Sequence, residues 1–328
     1  MSPGTALITG VSGQDGSYLA ELLLADGWRV AGLVRPGEET LAVVGHLAGD
    51  IEFVRGDLLD RASLRDAVLT RVPERIFHLA APSFVPDSWL RPAEYVAAIA
   101  GSCAELLAVV AEELPATRLV VASSGAMFGD APESPQREDT PFRPTNPYAV
   151  AKLAAHHLVG AMRSGRGLHA SSAILYNHES ERRPEQFVSR RVSRGAAAIS
   201  LGAAESLSLG SLEAVRDWSH ARDMMRGLVL MADAPEPDDY VLASGVGHTV
   251  GELATIAFAS VGLDSRDYVV VDDALRRPPE ATPSVGDPDR ARRKLGWRPE
   301  ISFEQLVEGM VRHDVRELQE AVGRPAAT

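Results

Sequence analysis

A chain of 328 residues, 45% hydrophobic and 24% charged, is long enough to bury one large core or two ordinary ones, which excludes disorder and fibrous structure. Its single cysteine, Cys103, excludes a disulfide framework and a multi-cysteine metal site and fits a reducing cytoplasm, the expected location. The net charge of −12 argues against nucleic acid, the first residues lack a signal peptide's basic region, and the most apolar stretch, 97–114, is interrupted by Glu105, Glu112 and Glu113, which argues against a membrane span.

Short apolar runs at 6–9, 29–34, 51–54, 75–79, 118–123 and 168–175 read as buried strands, with helical periodicity between them at 17–25, 61–70, 92–113 and 146–163. Strands separated by helices require right-handed crossovers, so the first half predicts an α/β fold with a doubly wound parallel sheet of the Rossmann type. After Tyr176 the rhythm breaks: 176–210 is Arg-rich and reads as irregular, followed by a helix at 220–231, a strand at 239–243 and helices at 250–261 and 303–318. The expected division gives 1–175 plus about 213–247 to a dinucleotide-binding domain, and about 176–212 plus 248–328 to a smaller, discontinuous C-terminal substrate lobe.

Gly10-Val-Ser-Gly13-Gln-Asp-Gly16 follows the first strand and opens the first helix, a setting in which the backbone turns tightly and a pyrophosphate sits on the helix N-terminus. Gly10, Gly13, Gln14, Asp15 and Gly16 are therefore expected at a dinucleotide. Arg35, after the second strand, suits a 2′-phosphate and tips the choice of cofactor slightly from NAD to NADP, although Glu38 and Glu39 follow it. Asp57 and Leu58 after the third strand are expected beside adenine, with a helix N-cap the other role open to Asp57. Leu79, Ala80 and Ala81 leave room on the nicotinamide side, or simply pack the strand end.

Of 33 basic residues only Lys152 and Lys294 are lysine, so a site that keeps an amine needs one. Lys152 lies one helical turn after Tyr148, a pairing expected by chance about 0.04 times in this composition. A nearby ammonium stabilises phenolate and draws a tyrosine from about 10 toward neutral pH, making a usable base. Ser124, at the carboxyl edge of the fifth strand, can hydrogen-bond the hydroxyl that Tyr148 deprotonates. Tyr148 and Lys152 count as cofactor neighbours as well. The nine histidines show no helical ligand pair, His156-His157 point to different sides of one helix, and no metal site is expected.

These residues resemble the extended short-chain dehydrogenases/reductases of the NAD-dependent epimerase/dehydratase family, most closely the GDP-mannose 4,6-dehydratases. The likeness covers nearly the whole chain: 6–24, Asn146-Pro-Tyr-Ala-Val-Ala-Lys-Leu153, Tyr176-Asn-His-Glu-Ser180, Arg216-Asp-Trp218, Gly286-Asp-Pro288 and Lys294-Leu-Gly-Trp297. The resemblance implies a GDP-sugar substrate oxidised at C4 with tightly bound NADP or NAD. It assigns Ser124, Tyr148 and Lys152 to catalysis and Ser83, Ser124, Asn177, Arg216, Arg277 and Glu280 to the substrate. A homodimer through the sheet-edge helices is implied. The tetramer is less so, because Pro36, Glu38 and Glu39 replace basic residues of the loop after Arg35.

One departure bears on the reaction. Dehydratases of this group carry a glutamate two residues after the serine or threonine, to remove the C5 proton and help expel the C6 hydroxyl; here Ala126 stands there. Losing a positioned acid/base group costs about 10² to 10⁴ in rate. The leading expectation is thus a C4-epimerase, with a dehydratase using a different base as the alternative and a non-catalytic cofactor-binding regulator as a third reading. Ala126 also opens space beside C5 and C6 for a longer sugar branch.

Overall fold

The computed structural model describes residues 4–37, 43–275 and 282–323. The first half runs β1 (Thr5–Thr9), α1 (Gln14–Ala25), β2 (Arg29–Val34), β3 (Ile51–Arg55), α2 (Arg61–Arg71), β4 (Arg75–His78), α3 (Val85–Ser88), α4 (Pro92–Val96), α5 (Ser102–Glu113), β5 (Arg118–Ser124), α6 (Pro147–Arg166) and β6 (Ala170–Leu175). There follow β7 (Asn177–Glu179), α7 (Val188–Ser200), β8 (Leu207–Leu209), β9 (Val215–His220), α8 (Ala221–Asp233), β10 (Asp239–Leu242), β11 (Gly247–Thr249), α9 (Val250–Ala259), α10 (Ser265–Tyr268), β12 (Val269–Val271), α11 (Asp289–Leu295) and α12 (Phe303–Gly323).

Seven parallel strands form one sheet in the order β10-β6-β5-β4-β1-β2-β3, the doubly wound arrangement expected. β1, β2, β5 and β6 are buried on both faces, as apolar runs without alternation require, while the edge strand β3 exposes Glu52 and Arg55. α1 and α8 cover one face, and α2, α5 and α6 the other. The order of the strands reverses between β1 and β4, which opens a crevice at their carboxyl ends.

Pro92–Glu113 is apolar and long enough to cross a bilayer, yet over half of its window is buried inside the protein: it is a core helix packed on α2 and α6. A π-turn at Ala97–Gly101 interrupts it. Cys103, on the same helix, is fully buried, and burial pushes its thiol up to about 12.

The lobe is assembled around a separate apolar cluster that includes Val192, Trp218, Leu253, Phe258 and Leu306. Here the expectation of irregular chain over 176–210 is wrong, since α7 occupies its centre. Arginines hide α7's pattern, but Val192, Ala196 and Ile199 recur on one face, and Arg190 is itself buried in an ion pair with Asp314 of α12 at 2.5 Å.

Candidate active site

The glycine turn is shaped first by its own backbone. Gly10 has φ of +77°, and a Cβ there would stand 2.9 Å from the Ala80 backbone; one on Gly16 would stand 2.2 Å from the Gly10 carbonyl oxygen. Gly13 differs, because a Cβ would meet only the Gly10 oxygen, at 3.4 Å, so the protein's own packing does not require glycine there. Gly13 is the N-cap of α1 and offers no side chain to the helix's first N–H groups. An open approach to uncapped N–H groups fits the pyrophosphate of a dinucleotide. Thr9 Oγ1 accepts from the N–H groups of Leu79 and Ala80, both at 3.1 Å, tying the end of β4 and the adjacent Ala81 to this turn.

Arg35 lies just past β2 with its side chain exposed and its carbonyl accepting from Arg55. Asp57 is not the helix cap: Asp60 accepts from the N–H groups of Ala62 and Ser63, whereas Asp57 closes a turn onto Leu59, with Leu58 half-buried between them. Glu38, Glu39, Arg277 and Glu280 lie outside the described residues.

Ser124 ends β5, while Tyr148 and Lys152 project from the first turns of α6, which Asn146 caps by accepting from Ala149 N–H at 2.9 Å. The Lys152 ammonium is buried, donates to the Ala122 carbonyl at 2.7 Å and stands 5.9 Å from the centre of the Tyr148 ring. Burial draws it down to about 8. The sequence predicts that Lys152 pulls the Tyr148 phenol down. In the structure the phenol is instead pushed above its usual value by burial, and the groups that oppose this are the Ser124 hydroxyl and the Arg183 guanidinium. Lys152 makes its hydrogen bond with the β5 backbone, which holds its ammonium beside the Tyr148 ring. Ala126 sits in the short turn Gly125–Met127 after Ser124. Of the nearby carboxylates, Asp130 is exposed, Glu133 accepts from Thr140, and Glu179 is buried against Ser189 and Arg183.

Gln14 and Asp15 play a part that the sequence did not reveal. Gln14 accepts from Ser180 Oγ at 2.8 Å and donates to the His178 carbonyl, and Asp15 pairs with His178 Nε2 at 2.9 Å. Tyr18 donates to Glu181, and Arg182 donates to Ser17 and Glu21. One side of α1 is thereby clasped to 178–182, the segment that follows Asn177. His178 Nδ1 faces the Tyr176 carbonyl at 2.7 Å, so both ring nitrogens point at acceptors and both carry protons. Burial opposes that charge, but Asp15 outweighs it and raises the imidazole's pKa; burial likewise resists ionisation of Asp15, and His178 carries that carboxyl down to about 2.

Asn177 and Arg216 lie on the neighbouring strands β7 and β9, where Asn177 is in register with Trp218. Ser83 is exposed just before α3. Arg183 is the site residue missed: its guanidinium covers the Phe187 ring at 3.6 Å, with Nε 3.0 Å from Glu179. Its only sequence signal was that it follows the Tyr176-to-Ser180 motif.

The doubly wound sheet with its smaller lobe agrees in fold with what comparison finds. The family model for GDP-mannose 4,6 dehydratase matches residues 7–310. The chain belongs to this family, within the extended short-chain dehydrogenases/reductases. It is 41% identical to a GDP-mannose 4,6-dehydratase of Sinorhizobium fredii, over 96% of this chain and 97% of that protein. It is 40% identical to GDP-mannose 4,6 dehydratase 2 of Arabidopsis thaliana, over 94% and 86%. Among solved structures, UDP-glucose 4-epimerase of Thermus thermophilus with NAD superposes with a TM-score of 0.82 at 26% identity, over 94% of this chain and 98% of that one. RMD of Pseudomonas aeruginosa with NADPH gives 0.81 at 25%, over 96% and 99%. The protein is thus an NAD(P)-dependent enzyme of the nucleotide-sugar epimerase/dehydratase class.

Proposed function

We propose that this enzyme oxidises a GDP-sugar at C4, with Tyr148 as the base. The observation that carries this is the convergence of Ser124, Tyr148 and Lys152 at the carboxyl edge of the sheet, beside the turn whose Gly13 fits a dinucleotide. Ser124 aligns the C4 hydroxyl, Tyr148 takes its proton, and Lys152, held by the Ala122 carbonyl, keeps a positive charge near the developing phenolate. A nicotinamide cofactor, when bound, accepts the hydride from C4 and can return it. Gly10, Gly13 and Gly16 would hold its pyrophosphate, Asp57 and Leu58 its adenine, and Arg35 a 2′-phosphate, with NADP slightly favoured. Asn177 and Arg216, with Ser83, Arg277 and Glu280, would take the GDP-sugar.

The fate of the 4-keto sugar separates two readings. The names of the relatives support dehydration more directly than epimerisation. The observation favouring the second reading is Ala126: a methyl group cannot remove the C5 proton, and Asp130, Glu133 and Glu179 are exposed or engaged elsewhere. On that reading the 4-keto sugar turns over in the site and Tyr148 returns the proton to O4.

Incubation with GDP-mannose and larger GDP-sugars, followed by mass spectrometry and anion-exchange chromatography, decides. Loss of one water establishes the dehydratase, a new peak of unchanged mass the epimerase, and no turnover of any GDP-sugar ends the proposal. In the epimerase case, Ala126→Glu is expected to yield some dehydrated product.

The proposal includes a cytoplasmic homodimer. Val96 on α4 and Val150 and Leu158 on α6 are 45%, 48% and 36% exposed on helices that pack together, an apolar face suited to a second copy. A monomer by analytical ultracentrifugation at micromolar concentration would contradict it.

A further inference from the structure

Asp217 is fully buried next to Arg216. Its Oδ1 accepts from Ser244 N–H and Oγ–H, both at 2.7 Å, and its Oδ2 from the N–H groups of Gly245 at 2.9 Å and Gly286 at 3.3 Å. Its own N–H donates to the Ser284 carbonyl at 2.9 Å. Among the described residues no cation pairs with it. A buried carboxylate satisfied by neutral donors alone fixes every one of them, because each is needed to offset its desolvation.

The segment 282–288 is held from its other side too. Gln136 exchanges backbone hydrogen bonds with Val285 and Asp287, both at 2.8 Å, and its side chain donates to the Pro283 carbonyl while accepting from the Tyr176 hydroxyl. Gly286 lies so close to Ala243 and the Tyr176 ring that a Cβ would stand 2.6 Å from each. The segment therefore straps the lobe to the carboxyl edge of the sheet, and Arg277 and Glu280 precede it in the chain.

We propose that Asp217 is a positioning residue for the nucleotide half of the substrate: it holds 284–286 and the turn at Ser244 against Arg216 without touching the ligand. This rests on the reading that the lobe takes a nucleoside diphosphate sugar.

The test is calorimetric titration of the full-length, cofactor-loaded enzyme with GDP, beside cofactor affinity, kcat and KM. Asp217→Asn sets an amide N–H₂ against backbone donors. It should weaken GDP binding and raise KM by about tenfold or more, leaving cofactor affinity and kcat at saturation within about threefold. Ser244→Ala removes one donor and should show about a two- to fivefold loss of the same kind. Gly286→Ala displaces the strap by contact and should mimic Asp217→Asn, so the test survives if that variant does not fold. Unchanged GDP affinity in the folded variants overturns the proposal, as does equal loss of GDP and cofactor with a lowered melting temperature. If the unaltered enzyme binds no GDP, the nucleotide reading itself fails and takes this one with it.

Discussion

The two halves of the site are held by different forces. The dinucleotide turn depends on steric fit, with Gly10 against Ala80 and Gly16 against the Gly10 carbonyl. The substrate lobe depends on buried charge: Glu179, Arg190, Asp217 and Asp314 are each no more than 5% exposed. The first half should therefore be sensitive to added volume, and the second to the loss of one charged partner.

The largest expected effect lies where the halves meet. Tyr148→Phe removes the base, and kcat should fall about 10² to 10⁴-fold with cofactor affinity retained, as single-turnover assays would show. Activity within tenfold of the unaltered enzyme would remove Tyr148 from the mechanism.

Within the lobe, Arg190→Met leaves Asp314 buried without its ion pair and should cost about 3–5 kcal/mol in chemical unfolding. The double change Arg190→Met, Asp314→Leu should recover most of that. If the single change is as mild as an ordinary surface substitution, the contrast between halves is broken. In the turn, Gly13→Ala should leave the melting temperature unchanged, because its Cβ meets only an ordinary contact, yet weaken cofactor binding about tenfold. A lowered melting temperature with unchanged cofactor affinity would reverse that assignment.

The smallest effect is one of pH. The folded His178 pKa lies above its unfolded value near 6.5, so its contribution is complete below about 6.5 and is lost as pH rises through the folded value. Thermal melts from pH 6 to 9.5 should show this decline, and Asp15→Asn should flatten it. An identical slope in both proteins would show that the pair is not the source.

The same contrast explains what could be read from the sequence. The parallel sheet, the glycine turn and the Tyr148–Lys152 pair are local patterns, each complete within one strand–turn–helix unit or one helical turn. The clasp between Gln14–Asp15 and His178–Ser180 joins residues more than 160 positions apart, and Gln136 meets Pro283 across 147. Neither partner advertises the other, so Gln14 and Asp15 read only as parts of the turn. The Arg-rich stretch that holds α7 reads as irregular because burial of Arg190 depends on Asp314, which arrives 124 residues later in the chain. Lys152 stands out in the sequence for its rarity, but its tie to the Ala122 carbonyl is a tertiary contact that no spacing encodes.

The clasp along α1 also restricts how the molecule can breathe. With Ser17, Tyr18 and Glu21 bonded to Glu181 and Arg182, the seam behind the crevice cannot open without breaking several hydrogen bonds together. Along this seam α1 and the 178–182 segment would have to move as one body.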